Sequence, residues 1–303
     1  MTEPLRFVFG VHLHQPVGNF DHVFRDHVRD NYRPFLERTA AAGFGPLTLH
    51  VSGPLYDWLD ANDPAFVEVI GRLAAEGRLE LLLAGFDEPI LAALPREDRL
   101  EQILRMREYL TRRFGVNATG LWLTERVWEP ELAADLASAG VGYALVDDRH
   151  FLATGFRREQ LHQPWRTESD GRAISLLAID ERLRYLIPFR PPEETAAYLR
   201  QLRAGGHALA VLADDGEKFG GWPGTREWVY EKGWLDHFLR VMGDLTASGD
   251  VRLATGAEAV REVASGGLAY LPTASYREME GWSLPASAQA RLTALETELG
   301  DER

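Results

Sequence analysis

Short apolar runs and longer amphipathic stretches alternate almost from one end of the chain to the other. The strand-like runs are Phe7–Leu13, Leu47–Val51, Leu79–Ala84, Gly120–Leu123, Tyr143–Val146, Ile174–Ala178, Ala208–Ala213 and Val251–Ala254. Several are nearly unbroken in apolar residues, as strands buried on both faces should be. Between them lie helix-like segments over about 23–41, 64–75, 96–114, 130–139, 192–204, 226–247 and 256–264. In the segment Arg96–Phe114, Pro95 stands at the start, Glu97 and Asp98 fall in the first turn, and Gly115 supplies the stop. Repeated strand–helix order predicts an α/β fold with a parallel sheet and helices outside it. Seven or eight units within about 260 residues fit a closed barrel better than an open sheet. No glycine-rich dinucleotide fingerprint follows the first strand. Near Gly266 the pattern breaks. The expectation is a barrel over 1–265 and a C-terminal extension over 266–303 that packs on it. In that extension Leu292, Leu295 and Leu299 suit one face of a short helix.

Charge narrows the function classes. Asp plus Glu number 46 against 33 Lys plus Arg, a net charge of −13. With no basic tract, neither nucleic acid nor an anionic membrane is an expected partner. Neutral sugars meet no such objection. The absence of cysteine excludes disulfides and thiol catalysis. The first residues carry neither a basic leader nor a cleavage signal, and no run reaches membrane-spanning length, so the cytoplasm is the expected location. Lysine occurs only at positions 218 and 232. Both fall in one stretch, which hints at a place where a compact ammonium does what a planar guanidinium does not.

Barrel active sites lie at the C-terminal ends of the strands. Residues just past the strand-like runs are His12 and His14, Glu88, Glu125, Asp147 and Asp148, and then Asp214, Asp215 and Glu217. Glu125 sits at a strand mouth between Trp122 and Trp128, and Arg126 beside it is expected to keep its carboxylate ionised. On spacing alone this is equally a structural ion pair. Asp214, Asp215 and Glu217 put three carboxylates within four residues, so at least one pKa should rise, which suits a general acid. The bland alternative is a calcium loop or a solvated acidic turn. Trp222 nearby offers a flat apolar face for a sugar ring. His12 and His14, two apart on a strand, point the same way. They read as partners for sugar hydroxyls; the competing reading is a metal-dependent hydrolase. Gln15-Pro16, not an Asp, follows them, so no metal is expected.

Four stretches carry a family resemblance: His12-Leu-His-Gln-Pro16, Gly77-Arg-Leu-Glu-Leu-Leu82, Trp122-Leu-Thr-Glu-Arg-Val-Trp128 and Asp214-Asp-Gly-Glu-Lys-Phe-Gly-Gly-Trp-Pro223. In wording and order they resemble the first four motifs of glycoside hydrolase family 57, closest to its 4-α-glucanotransferase and α-amylase members. Gly233-Trp234 and Tyr276-Arg-Glu-Met-Glu-Gly-Trp282 resemble that subgroup too. The resemblance implies a (β/α)7 barrel, α-1,4-glucan substrates, retention of configuration and no cofactor. It places the nucleophile on Glu125 and the acid/base on Asp215. His12, His14, Glu80, Trp122, Glu217 and Trp222 would line the cleft, and Asp214 would support Asp215 there. Family transferases continue into a helical region with a fifth motif. That leaves one cleft wall to be completed by an oligomer or a second chain. The competing expectation is a truncated, non-catalytic or partner-dependent glucan-binding homologue.

Overall fold

A computed structural model describes residues 3–300. All eight strand-like runs form strands, and a ninth joins them. They are β1 (Leu5–Leu13), β2 (Leu47–Val51), β3 (Leu79–Leu81), β4 (Gly120–Trp122), β5 (Tyr143–Asp147), β6 (Trp165–Ser169), β7 (Arg172–Ile179), β8 (Leu209–Asp215) and β9 (Val251–Ala254). Parallel ladders run β3-β2-β1-β8 and β4-β5-β7. Two short seams close the ring. Leu83 exchanges backbone hydrogen bonds of 2.8 Å with Gly120 and Trp122, and Asp180 N–H donates to Val211 at 2.8 Å. Seven parallel staves therefore make the barrel: β1, β2, β3, β4, β5, β7 and β8.

The eighth expected unit is not a stave. β9 pairs only with Leu5–Val8, the start of β1, while β2 takes Gly10–Leu13 on the rest of β1. β6 was not expected from the apolar pattern, because Trp165-Arg-Thr-Glu-Ser169 is mostly polar. It forms an antiparallel hairpin with β7. The turn is Asp170-Gly171, with φ of 51° and 69°. Two successive positive φ values are what a two-residue hairpin turn requires, and Asp-Gly is its usual sequence.

Period-two alternation sorts the staves into two cores. Inward-facing Val8, Leu82, Trp122, Tyr143, Leu145, Leu177, Ile179, Leu209, Val211 and Ala213 fill the lumen. The outward set, with Phe7, Phe9, Val11, Leu49, Leu121, Leu176 and Leu212, packs under the helices. Tyr143 closes the lumen floor. A Cβ on Gly120 or Gly256 would sit 2.3 or 2.2 Å from its ring end, so only glycine fits at either position. Helix Arg96–Phe114 ends on Gly115 at φ 68°, as expected. Among the described residues no helix is long and apolar enough to cross a membrane.

Candidate active site

β1, β2 and β8 set one level of the barrel mouth. Their register places His12 beside His50 on one side and Asp215 on the other. Glu125 arrives from β4 through a single tight turn in which Glu125 and Arg126 hold φ of 52° and 50°. Such left-handed backbone costs about 1 kcal/mol or more per non-glycine residue, so the surroundings must enforce it. They do so from two sides. The Tyr276 hydroxyl donates to Glu125 Oε2 at 2.5 Å, and the Ser275 hydroxyl donates to the Glu125 carbonyl. Trp128 and Ala274 exchange backbone hydrogen bonds of 2.9 and 3.2 Å. Buried His150 ties the same parts together, with Nε2 2.9 Å from the Arg126 carbonyl and 3.0 Å from that of Ala274.

Glu125 and Asp215 line one cleft of about 750 Å³ with His12, His14, Trp122, Glu217 and Trp222. Two residues of the expected set lie elsewhere, and both are corrections. Glu80 is not in the cleft. It sits at the lumen floor, where it accepts from Thr48 Oγ1 at 3.1 Å and from the backbone of Gly256 and Ala257 at 2.7 and 3.2 Å. β3 runs past the floor at that point, and an inward carboxylate there meets the start of helix Gly256–Glu262. Asp214 does not face the cleft either. Strand alternation turns it away from the side of Asp215, and it is buried among Lys218, Arg184 (3.0 Å) and Arg126 (3.3 Å). Arg126 is the third correction, since it pairs with Asp214 and not with its neighbour Glu125. The left-handed turn sends the two side chains apart.

The charges are graded. Burial alone would raise the Asp214 pKa, but Lys218, Arg126 and Arg184 more than offset it and hold the carboxyl below its ordinary value. Burial, and then the Asp214 charge, push Asp215 upward. Burial carries Glu217 to about 7, although the Tyr32 hydroxyl donates to it. Lys218 is the lysine that the composition singled out: it is buried, and its Nζ donates to Asp214 and to the Arg184 carbonyl at 3.0 Å. Lys232 is an exposed partner of Glu227 and plays no part here.

Sequence reasoning left several cleft residues unassigned. Glu88 follows the third strand and was noted for that position alone; it contacts His14 and lies near His12 and His50. His12, His14 and Glu88 are the described residues grouped closely enough to hold a metal ion. Tyr32 and Asn31 reach the mouth from a π-helical turn, Val28–Tyr32, a local widening often found beside functional sites. Asn31 Nδ2 donates to the Gly216 carbonyl at 2.9 Å. Arg184 and Phe189 come from segments with no motif that exposes them, and Tyr276 opens a stretch noted only for its family resemblance, with no role assigned to it. Phe189 stacks on Trp222 at 6.1 Å with the planes 16° apart, and both are about 40% exposed.

A barrel mouth with two carboxylates from separate staves, beside stacked aromatics, is compatible with sugar chemistry. The sequence model of glycosyl hydrolase family 57 matches residues 8–272. The chain belongs to this family. Its family 57 relatives include a 4-alpha-glucanotransferase of Thermococcus litoralis, 47% identical over 291 residues, which cover 96% of this chain and 43% of that protein. An alpha-amylase of Pyrococcus furiosus is 46% identical over 293 residues, 96% of this chain and 44% of that protein. The crystal structure of the Thermococcus litoralis 4-alpha-glucanotransferase superposes with a TM-score of 0.93 at 46% identity, covering 98% of this chain and 46% of that one. The chain thus spans less than half the length of these family 57 relatives.

Proposed function

We propose that the cleft cleaves α-1,4-glucosidic bonds with retention, through a covalent glycosyl-enzyme on Glu125. Asp215 gives its proton to the departing glycosidic oxygen while a Glu125 carboxylate oxygen bonds to the anomeric carbon. Asp215, now ionised, takes a proton from water or from a sugar hydroxyl, whose oxygen then displaces Glu125. The first acceptor makes the reaction hydrolysis and the second makes it glucan transfer. One observation carries the reading: Glu125 from β4 and Asp215 from β8 line the same cleft at the C-terminal mouth. The graded charges support it, because an acid needs a raised pKa. His12, His14 and Glu217 are then hydrogen-bonding partners of sugar hydroxyls, and Trp122 and Trp222 stack on sugar rings. Names of both kinds, transferase and amylase, occur among relatives of nearly equal identity, so the acceptor is left to experiment.

Maltoheptaose incubated with the purified chain tests this. Shorter products are expected, with longer ones too if sugar reaches the intermediate before water. Glu125→Ala and Asp215→Ala should each slow turnover by about 10³-fold or more. Full activity in both variants overturns the reading.

A further inference from the structure

Beneath Trp122 the cleft floor holds three imidazoles and one carboxylate in mutual contact. His12 and His50 bring their Nδ1 atoms to 2.7 Å, and the His12 ring lies flat on Trp122 with centroids 4.4 Å apart. Glu88 Oε1 stands 3.4 Å from His12 Nε2, and Glu88 Oε2 touches His14 Nδ1. The Glu88 side chain is only 4% exposed, and Oε1 finds no hydrogen-bond donor among the described residues. Its backbone, at φ 56°, is one of the few left-handed non-glycine positions in the chain. A carboxylate oxygen is thus held buried, at a cost in backbone strain, and aimed at ring nitrogens.

We propose that His12, His14 and Glu88 form a binding site for a divalent transition-metal ion of the zinc type. The ligand atoms of the three lie within 4.8 Å of one another. Zinc bonds to His N and carboxylate O of about 2.0–2.1 Å in a tetrahedron require ligand atoms about 3.3–3.4 Å apart. His12 Nε2 and Glu88 Oε1 are separated by 3.4 Å. His14 stands closer to Glu88 than that and must swing outward slightly; its side chain is 37% exposed and is free to do so. His50 supplies the supporting contact. When His12 donates its Nδ1 proton to His50, the Nε2 lone pair turns toward Glu88, the arrangement that orients a metal-binding imidazole. Two imidazoles and one carboxylate favour zinc, cobalt or nickel over magnesium or calcium. The fourth position faces the cleft, so the ion competes with whatever occupies the floor. The ion would share His12 and His14 with the sugar of the glucan reading, but a titration with metal alone succeeds or fails without reference to that reading.

The metal-stripped chain, titrated calorimetrically with zinc chloride and spectroscopically with cobalt chloride, tests this. The expected result is one equivalent of saturable zinc binding, together with the visible bands of tetrahedral cobalt. His14→Ala, a change at a partly exposed side chain, should weaken binding at least tenfold or so while leaving the thermal midpoint without metal unchanged. Glu88→Gln should do the same. Absence of saturable binding overturns the proposal. So does zinc affinity that is unchanged in both variants, which would assign the ion to surface histidines.

Discussion

Asp214 and Asp215 are adjacent in the chain and opposite in environment. Strand alternation puts one among three cations and the other at the cleft. Replacing Asp214 by Asn removes the negative charge that raises Asp215 and leaves Lys218, Arg126 and Arg184 to lower it. Both effects have one sign. The alkaline limb of the kcat/KM profile, where the acid loses its proton, should move to lower pH in Asp214→Asn. An unmoved limb would mean that Asp215 is not the titrating acid. Glu217 supplies a stability test. Its folded pKa of about 7 lies above the ordinary 4.5, so its contribution is fully present below 4.5 and lost as pH rises through 7. Glu217→Gln should therefore nearly match the parent at pH 4.5 and exceed it by about 3 kcal/mol at pH 8. Denaturant melts at the two pH values read the difference directly. At this scale the sequence was only partly legible. Three clustered carboxylates announced a raised pKa, but which one faced the cleft depended on strand register. Arg126 was misread because nothing in Glu-Arg reveals two successive left-handed residues.

The turn that carries Glu125 is held by the segment around Tyr276, far away in sequence. Tyr276→Phe removes the 2.5 Å hydrogen bond to the carboxylate and keeps the ring over Arg126. A loss of about 10- to 100-fold in kcat, with KM and thermal midpoint nearly unchanged, is expected. Loss of the fold instead would make Tyr276 a structural residue only. The lumen floor gives a packing test. Gly120→Ala drives a methyl to 2.3 Å from the Tyr143 ring and should cost about 1–3 kcal/mol in a urea melt. The staves were legible because buried strands are apolar runs, and their ends located the site. β6 was not, since its residues are polar and only Asp170-Gly171 marks its hairpin. Glu80 illustrates the same limit. Its motif could be read, but the depth of β3 in the barrel, which puts it on the floor, could not.

Across the whole molecule, seven staves with two short seams bring side chains from β1, β4 and β8 to one mouth. The strand–helix alternation announced this architecture, because a parallel sheet covered by helices buries apolar runs on both faces, and seven or eight such units fit a closed barrel better than an open sheet. Helix Ala286–Leu299 stands apart from it, with no buried residue and Leu292, Leu295 and Leu299 exposed. Deleting residues 286–303 should leave the thermal midpoint within about 2 °C of the parent. The central claim is chemical, and α-maltosyl fluoride reaches it. Fluoride needs no protonation to leave, so Asp215→Ala should still form the glycosyl-enzyme yet lack the base that resolves it. Peptide mass mapping of that variant is predicted to show one maltosyl group, on Glu125. Fluoride release with no adduct, or an adduct on any other carboxylate, would contradict the account.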